Sequence, residues 1–197
     1  FSWQNNKIDL LFNGNNETNN IDFDHYLKKL GYNFKNQSNE LGGYTSLNNK
    51  KTSLIMDVGP TPDKKFSSNY QAGALSFEII SNGKKLICNS GYFQNYNHQL
   101  NELSKTSATH STLILDDRSS CKFSKTKNES SRISHSLKIL KKNIVFEKNY
   151  WKINAAHDGY LNQYGIVHER EIEFYPEQMK FIGHDKIITT NGAKNLK

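Results

Sequence analysis

An all-β antiparallel architecture, a sandwich or an open barrel with one short helix near the N-terminus, is predicted by three observations. From Gly42 onward, apolar residues recur in short runs, several of them alternating with polar ones. Turn-forming residues separate those runs at regular spacing. One junction, Asn82-Gly83 between two apolar runs, carries the strongest short hairpin signal, because both residues tolerate positive φ.

The elements follow in chain order. IDLLFNG is a short apolar run, and the Asn-rich NNETNN after it reads as loop. DFDHYLKKL (22–30) has helical spacing, with Asp22 or Asp24 near its start and Gly31 at its end; Phe23, Tyr26, Leu27 and Leu30 share a face, and His25 falls off it. TSLIMDVG (52–59) is a strand stopped by Gly59-Pro60-Thr61-Pro62, and Asp57 caps that turn. ALSFEII (74–80) and KLICN (85–89) flank the hairpin turn, with Leu75, Phe77 and Ile79 on one side of the first arm. A loop rich in Tyr and Asn occupies 90–104, and another turn lies at 116–120. SHSLKILKK (134–142), NIVFEK (143–148) and YWKINAA (150–156) read as strands, with Trp151 as a core anchor. Asp158-Gly159 marks a turn. In YGIVHEREIEFYP (164–176), Ile166, His168, Arg170, Ile172 and Phe174 alternate with Val167, Glu169, Glu171 and Glu173. MKFIGHDKII (179–188) reads as the last strand pair; it would leave an open edge, so the domain reads as cut short at its C-terminus.

Composition limits the functional classes. The chain has 197 residues, enough for one domain with a real core, and 35% of them are hydrophobic. Lys, Asn or Asp interrupts every apolar run, so no membrane insertion is expected. The start, FSWQNNK, lacks the basic-then-apolar order of a signal peptide. A net charge of +7 favours polyanionic partners, yet the closest approach to a basic cluster is Lys138, Lys141 and Lys142. Cys88 and Cys121 lack metal-finger spacing and either pair or stay free.

KTSATHSTLILDD (105–117) is the stretch around which the chain is organised. As a strand, it would send Leu113 and Leu115 to a core and His110, Thr112 and Ile114 to the opposite face. His98, His135 and His184 read as surface residues.

Seven segments in order carry a family resemblance: LLFNG, GGYTSL, LIMDVGPTP, QAGALSFEIISNGKKLICNSG, KTSATHSTLILDD, AAHDGYLNQYGIVHEREIEF and IGHDKI. Together, from about residue 8 to residue 188, they resemble the C-terminal β-domain of heparinase II/III-type polysaccharide lyases. The resemblance implies a β-sandwich over 41–197, with 1–40 as the tail of an N-terminal (α/α) toroid domain and its linker. It implies export to the cell envelope or periplasm, an acidic polysaccharide as partner rather than nucleic acid, and cleavage by β-elimination. In that reaction a uronate carboxylate is neutralised, a base removes the α-proton and an acid protonates the leaving glycosidic oxygen. The family's tyrosine and an asparagine come largely from the toroid, so this chain alone is expected to be inactive.

The residue roles are carried over one by one. The resemblance implies His110 as the catalytic residue. Where the family has two histidines and an aspartate, this chain has Asn69, Gln71 and Asn89. His110, Asn89 and Gln71 are thus a degenerate metal site: with one imidazole and no carboxylate, no cofactor is expected, and zinc or calcium would meet few ligands. Asn69, Gln71 and Asn89 are instead expected to form a sugar-binding network. His157 and Tyr160, with His168 and Arg170 on the next strand, form a second substrate-binding cluster; holding their own loop is the competing role for the first two. Arg170 reads either as a carboxylate or sulfate clamp or as a cross-strand partner of a nearby Glu. The alternative to a lyase part is a non-catalytic glycan-binding or structural sandwich.

Overall fold

The structure is a computed structural model that describes residues 3–5, 8–10, 20–31, 39–125 and 130–190. The LLFNG motif beyond Leu10, the Asn-rich stretch before Asn20 and the terminal NGAKNLK lie outside the described residues.

Two sheets carry the architecture, and both are antiparallel throughout. After a small ladder of β1 (Trp3–Asn5) and β2 (Ile8–Leu10), helix α1 (Asn20–Lys29) ends ahead of Gly31, whose φ is 82°. The first large sheet runs β3 (Glu40–Leu41), β4 (Tyr44–Asn48), β5 (Thr52–Asp57), β6 (Phe77–Ser81), β7 (Lys84–Ile87) in simple order. Asn82 and Gly83 adopt φ of 48° and 73°, the double left-handed turn expected of the hairpin. Helix α2 (Gln99–Ser104) follows, then the small pair β8 (Lys122–Ser124) and β9 (Arg132–His135). The second large sheet is β10 (Ile139–Phe146), β11 (Trp151–His157), β12 (Ile166–Tyr175) and β13 (Lys180–Thr189), with a one-turn helix α3 (Leu161–Tyr164) before β12.

The inner faces of the two sheets meet in one core. Leu47, Leu54, Met56, Val58, Leu75 and Ile79 come from the first sheet side; Trp151, Ile153, Ala155, Ile172 and Phe174 come from the second. Trp151 is 1% exposed and meets the Phe174 ring edge-on at 4.8 Å between centroids. The alternation in β12 holds: Ile166, His168, Arg170, Ile172 and Phe174 all point inward and are buried. The β-sandwich is therefore the form that the all-β pattern takes.

Four readings of the sequence are corrected. Residues 105–117 are not a strand: a short 3-10 turn, Ser107–Thr109, leads to His110, and only a single bridge joins Leu115 to Arg118. Hydroxyl side chains take the backbone groups that a ladder would need. Thr106 Oγ1 donates to Leu103 O, Thr109 Oγ1 to Thr106 O and Ser107 Oγ to Ala72 O. Asp116 and Asp117, with φ of 46° and 55°, close the segment. Within the 90–104 loop, His98 caps α2 by accepting from Leu100 N. Residues 143–146 continue β10 rather than starting a new strand, and β13 is one strand rather than a pair. It forms one edge of its sheet.

Asp57, at the end of β5, caps its turn by accepting from Gly59 N at 3.1 Å. It is buried, and burial pushes its carboxyl up to about 7 against that hydrogen bond. A raised carboxyl binds its proton more tightly in the folded chain than in the unfolded one. Its stabilising effect is therefore complete near pH 4 and is lost as pH rises towards 7 and above. Asp57→Asn keeps the acceptor without the charge. Its stability advantage over the parent is expected to grow between pH 5 and pH 8, by on the order of 2–4 kcal/mol. Urea denaturation at both values measures it; a constant gap would rule out a buried charge at this turn.

Candidate functional site

His110 is held at the end of the 3-10 turn with extended backbone angles, where β6, the segment before it and residue 89 converge. Its Nδ1 lies 2.8 Å from Thr106 O, which can only accept, so Nδ1 carries a proton. Burial pushes the imidazole below its ordinary range, partly offset by the Thr106 carbonyl. The ring is therefore neutral near pH 7, and Nε2 presents a lone pair. Gln71 meets that atom at 3.0 Å. With its oxygen turned to Nε2, the Gln71 amide nitrogen has no partner among the described residues. With the amide turned over, the nitrogen donates to the Nε2 lone pair. Gln71 thus covers the one basic atom of the site.

Asn89 positions the next residue. Its Oδ1 accepts from Ser111 N at 2.8 Å, and its Nδ2 donates to Ser76 Oγ at 3.2 Å. Its own N–H donates to Glu78 Oε1 at 3.0 Å. Ser111 Oγ donates to Phe77 O at 2.5 Å and accepts from Phe77 N at 2.9 Å, which fastens the segment to β6. Gly73 leaves room for the ring: a Cβ there would lie 2.9 Å from His110 Cδ2.

Gln71, Asn89 and His110 are thus brought together, as the sequence places them, but their atoms do not converge as metal ligands. Gln71 occupies His110 Nε2, and Asn89 Oδ1 is taken by Ser111. Among the described residues, no group of three His, Cys, Asp or Glu is arranged to hold a metal ion. This donor set does not fit a zinc or calcium ion. Asn69 stands apart on the surface, where its Oδ1 accepts from Tyr92 OH at 3.1 Å, and Asn101 Nδ2 donates to that same phenol oxygen at 3.0 Å.

The second cluster lies inside the sandwich. His157, Tyr160 and His168 are each 0% exposed, and Arg170 is 7%. Gly159 N donates to His157 Nδ1 at 3.0 Å, so the His157 proton sits on Nε2, facing His168 Nδ1 at 3.2 Å. His168 Nε2 then donates to Asp185 Oδ1 at 2.7 Å. Burial, helped by the nearby Arg170 charge, pushes His157 down to about 3. Arg170 clasps both oxygens of Asp185, at 2.7 and 2.8 Å, and its Nη1 donates to Leu75 O and Ser111 O. The expected glutamate partner of Arg170 is thus Asp185, an aspartate of β13. Tyr160 OH donates towards Leu113 O at 2.6 Å and Arg118 O at 3.2 Å. In this fold these four side chains brace the His110 segment from behind, and their polar ends hydrogen-bond to protein groups.

Asp185, Ser111 and Thr106 lie inside the resembling segments, but the motifs assign them no role. Register could have found Asp185: with Tyr175 opposite Lys180 across the turn, counting back five residues puts Arg170 opposite Asp185. The surface histidines were placed as expected in two cases, since His98 and His184 are exposed; His135 is half-buried and pairs with Asn162. Two of the three clustered lysines are neutralised, Lys141 by Glu169 and Lys142 by Glu40. Cys88 and Cys121 are both free thiols. No helix is long and apolar enough to cross a membrane among the described residues.

Comparison with known proteins follows the same outline. Residues 36–194 match the family described as heparinase II/III-like, C-terminal. Heparan sulfate lyase HepC from Pedobacter heparinus superposes with a TM-score of 0.60 at 16% identity, over 88% of this chain and 28% of that one. The heparinase III BT4657 gene product gives 0.61 at 16% identity, over 88% and 27%. A further heparinase III gives 0.57 at 17%, over 86% and 28%. At such identities the likeness is one of fold, and the chain spans less than a third of each structure's length. No match is found among curated proteins.

Proposed function

Because the chain belongs to the heparinase II/III-like C-terminal family, we propose that it forms the β-sandwich half of a polysaccharide lyase acting on an acidic, uronate-containing glycan in the cell envelope or periplasm. The observation that carries this reading is the neutral imidazole of His110, a residue 8% exposed, whose basic Nε2 is capped by the Gln71 side-chain amide.

The proposed chemistry is a β-elimination. His110 Nε2 takes the proton α to the uronate carboxylate after the Gln71 amide turns aside. The electron pair forms the carbon–carbon double bond as the glycosidic bond breaks. The departing oxygen receives its proton from an acid on the partner helical domain, where the family resemblance puts the tyrosine. Gln71, once turned, and the exposed Asn69 offer amide donors to the sugar. Asn89 acts through Ser111, holding the backbone beside His110, and is a positioning residue. His157, Tyr160, His168 and Arg170 take the same kind of role one layer deeper. No step is routed through a metal.

His110→Ala in the protein carrying both domains is expected to lower turnover about 10²–10⁴-fold. Release of unsaturated uronate, followed by ultraviolet absorbance, measures it, and an unchanged rate would remove His110 from the mechanism. The Gln71 cap favours one second reading, a glycan-binding module without chemistry. In that case no unsaturated product forms with either protein, and the substitution changes only affinity.

A further inference from the structure

We propose that a groove between residues 60–64 and 133–138 binds a sulfated or carboxylated sugar unit, a second contact for the acidic glycan of the reading above, on which it rests. The groove encloses about 420 Å³, within the range of roughly 300–1,000 Å³ typical of small-ligand pockets. Nothing in the His110 network uses it.

Its frame is built in advance. Thr61 N and Thr61 Oγ1 both reach Leu137 O, at 3.3 and 3.2 Å, and Leu137 N donates back to Thr61 Oγ1 at 3.2 Å. Pro60 and Pro62 on either side fix the backbone and offer flat apolar faces. Ile133 and Leu137, 4% and 1% exposed, anchor the opposite wall, with Leu137 continuing into the cluster of Ala72, Ala74 and Cys121. A ligand entering here meets a site that needs little ordering.

The polar lining selects the ligand class. Lys64 and Lys138 are exposed at the groove, and neither forms an ion pair among the described residues. Lys138 is the member of the basic trio that no glutamate neutralises. Asp63, the one carboxylate in the lining, turns its Oδ1 to Lys65 N at 3.0 Å as a cap. The hydroxyls of Ser134 and Ser136 are exposed and take no partner among the described residues. Two cations, open hydroxyls and proline faces match an anionic pyranose: charge for the sulfate or carboxylate, hydroxyls for the ring oxygens, apolar contact for the C–H face.

The test is an amide NMR titration of the 197-residue chain with a heparin-derived tetrasaccharide, with cellotetraose and inorganic sulfate in parallel. Shifts at Thr61, Ser134 and Ser136 with the heparin fragment alone are expected. The double variant Lys64→Ala/Lys138→Ala, both sites being exposed, should keep its dispersed spectrum and lose at least about tenfold in affinity. Shifts confined to residues 69–71 and 89–111 would overturn the groove and leave the lyase reading intact. Equal response to free sulfate, or none to any ligand, would also overturn it. Shifts at the groove together with a His110→Ala enzyme of unchanged rate would keep this site and remove the proposed mechanism.

Discussion

Asp185→Leu is expected to destabilise the chain by about 3–5 kcal/mol, the usual cost of stranding one partner of a buried pair. Arg170 is the reason. Its side chain is 9% exposed, and Asp185 supplies its only carboxylate among the ion pairs of the described residues. Without Asp185 the guanidinium keeps Leu75 O, Ser111 O and the Phe77 ring, 5.3 Å from its centre, but no counter-charge. The Asp185 side chain is 44% exposed, so water screens part of the pair, and the lower half of that range is expected. Arg170→Leu/Asp185→Leu should recover part of the loss, because the stranded charge is then gone. Acid titration adds a signed check. Burial raises the Asp185 carboxyl, but hydrogen bonds from His168 and Arg170 outweigh it and hold it well below the usual range. Its stabilising effect is thus present above the ordinary carboxylate range and lost as pH falls through the folded value. The single variant should therefore show a shallower decline in acid than the parent. Urea denaturation across pH measures both, and a loss below about 1 kcal/mol would mean that solvent already satisfies Arg170.

That pair shows where sequence patterning stops. The inward face of β12 was legible because a period of two places His168 and Arg170 beside Ile166, Ile172 and Phe174. The hairpin at Asn82-Gly83 was legible because its backbone angles admit few residues. What a polar inward residue does depends on its neighbour across the sheet, and that requires register. The 105–117 segment failed for another reason. Its apolar LIL run reads like a strand, whereas the five hydroxyl residues before it, Thr106, Ser107, Thr109, Ser111 and Thr112, bind backbone carbonyls. The trio of Gln71, Asn89 and His110 was found by family spacing and does meet, but no local pattern signals that Gln71 caps Nε2. Lys105 makes the same point: it is 0% exposed, and its Nζ reaches Ser130 and Ser131, more than twenty residues away.

Gly159→Ala should be more damaging than its one added methyl suggests. A Cβ at that position would lie 2.3 Å from Ser120 O and 3.0 Å from His157 Nδ1. The first neighbour is backbone and cannot swing away. Either the Asp158-Gly159 turn or the loop at 118–121 must move. Moving the turn breaks the Gly159 N–H to His157 Nδ1 bond, which sets the direction of the whole His157–His168–Asp185 series. Moving the other side pulls on Arg118 O and so on Tyr160. Overpacking of this kind costs about 1–3 kcal/mol, and the stranded polar groups add to it, for an expected loss of about 3 kcal/mol or more. Gly83→Ala is the control. Its Cβ would meet nothing within 4 Å, and only its φ of 73° is strained, at a cost of about 1 kcal/mol. Thermal melts should rank Gly159→Ala well below Gly83→Ala. On the proposed lyase reading, the rate of the protein carrying both domains should fall with the first and hold with the second, because the turn at Gly159 connects through His157, His168, Asp185 and Arg170 to Ser111 O. Equal melting temperatures for the two variants would show that collision at Ser120 does not govern this corner of the sandwich.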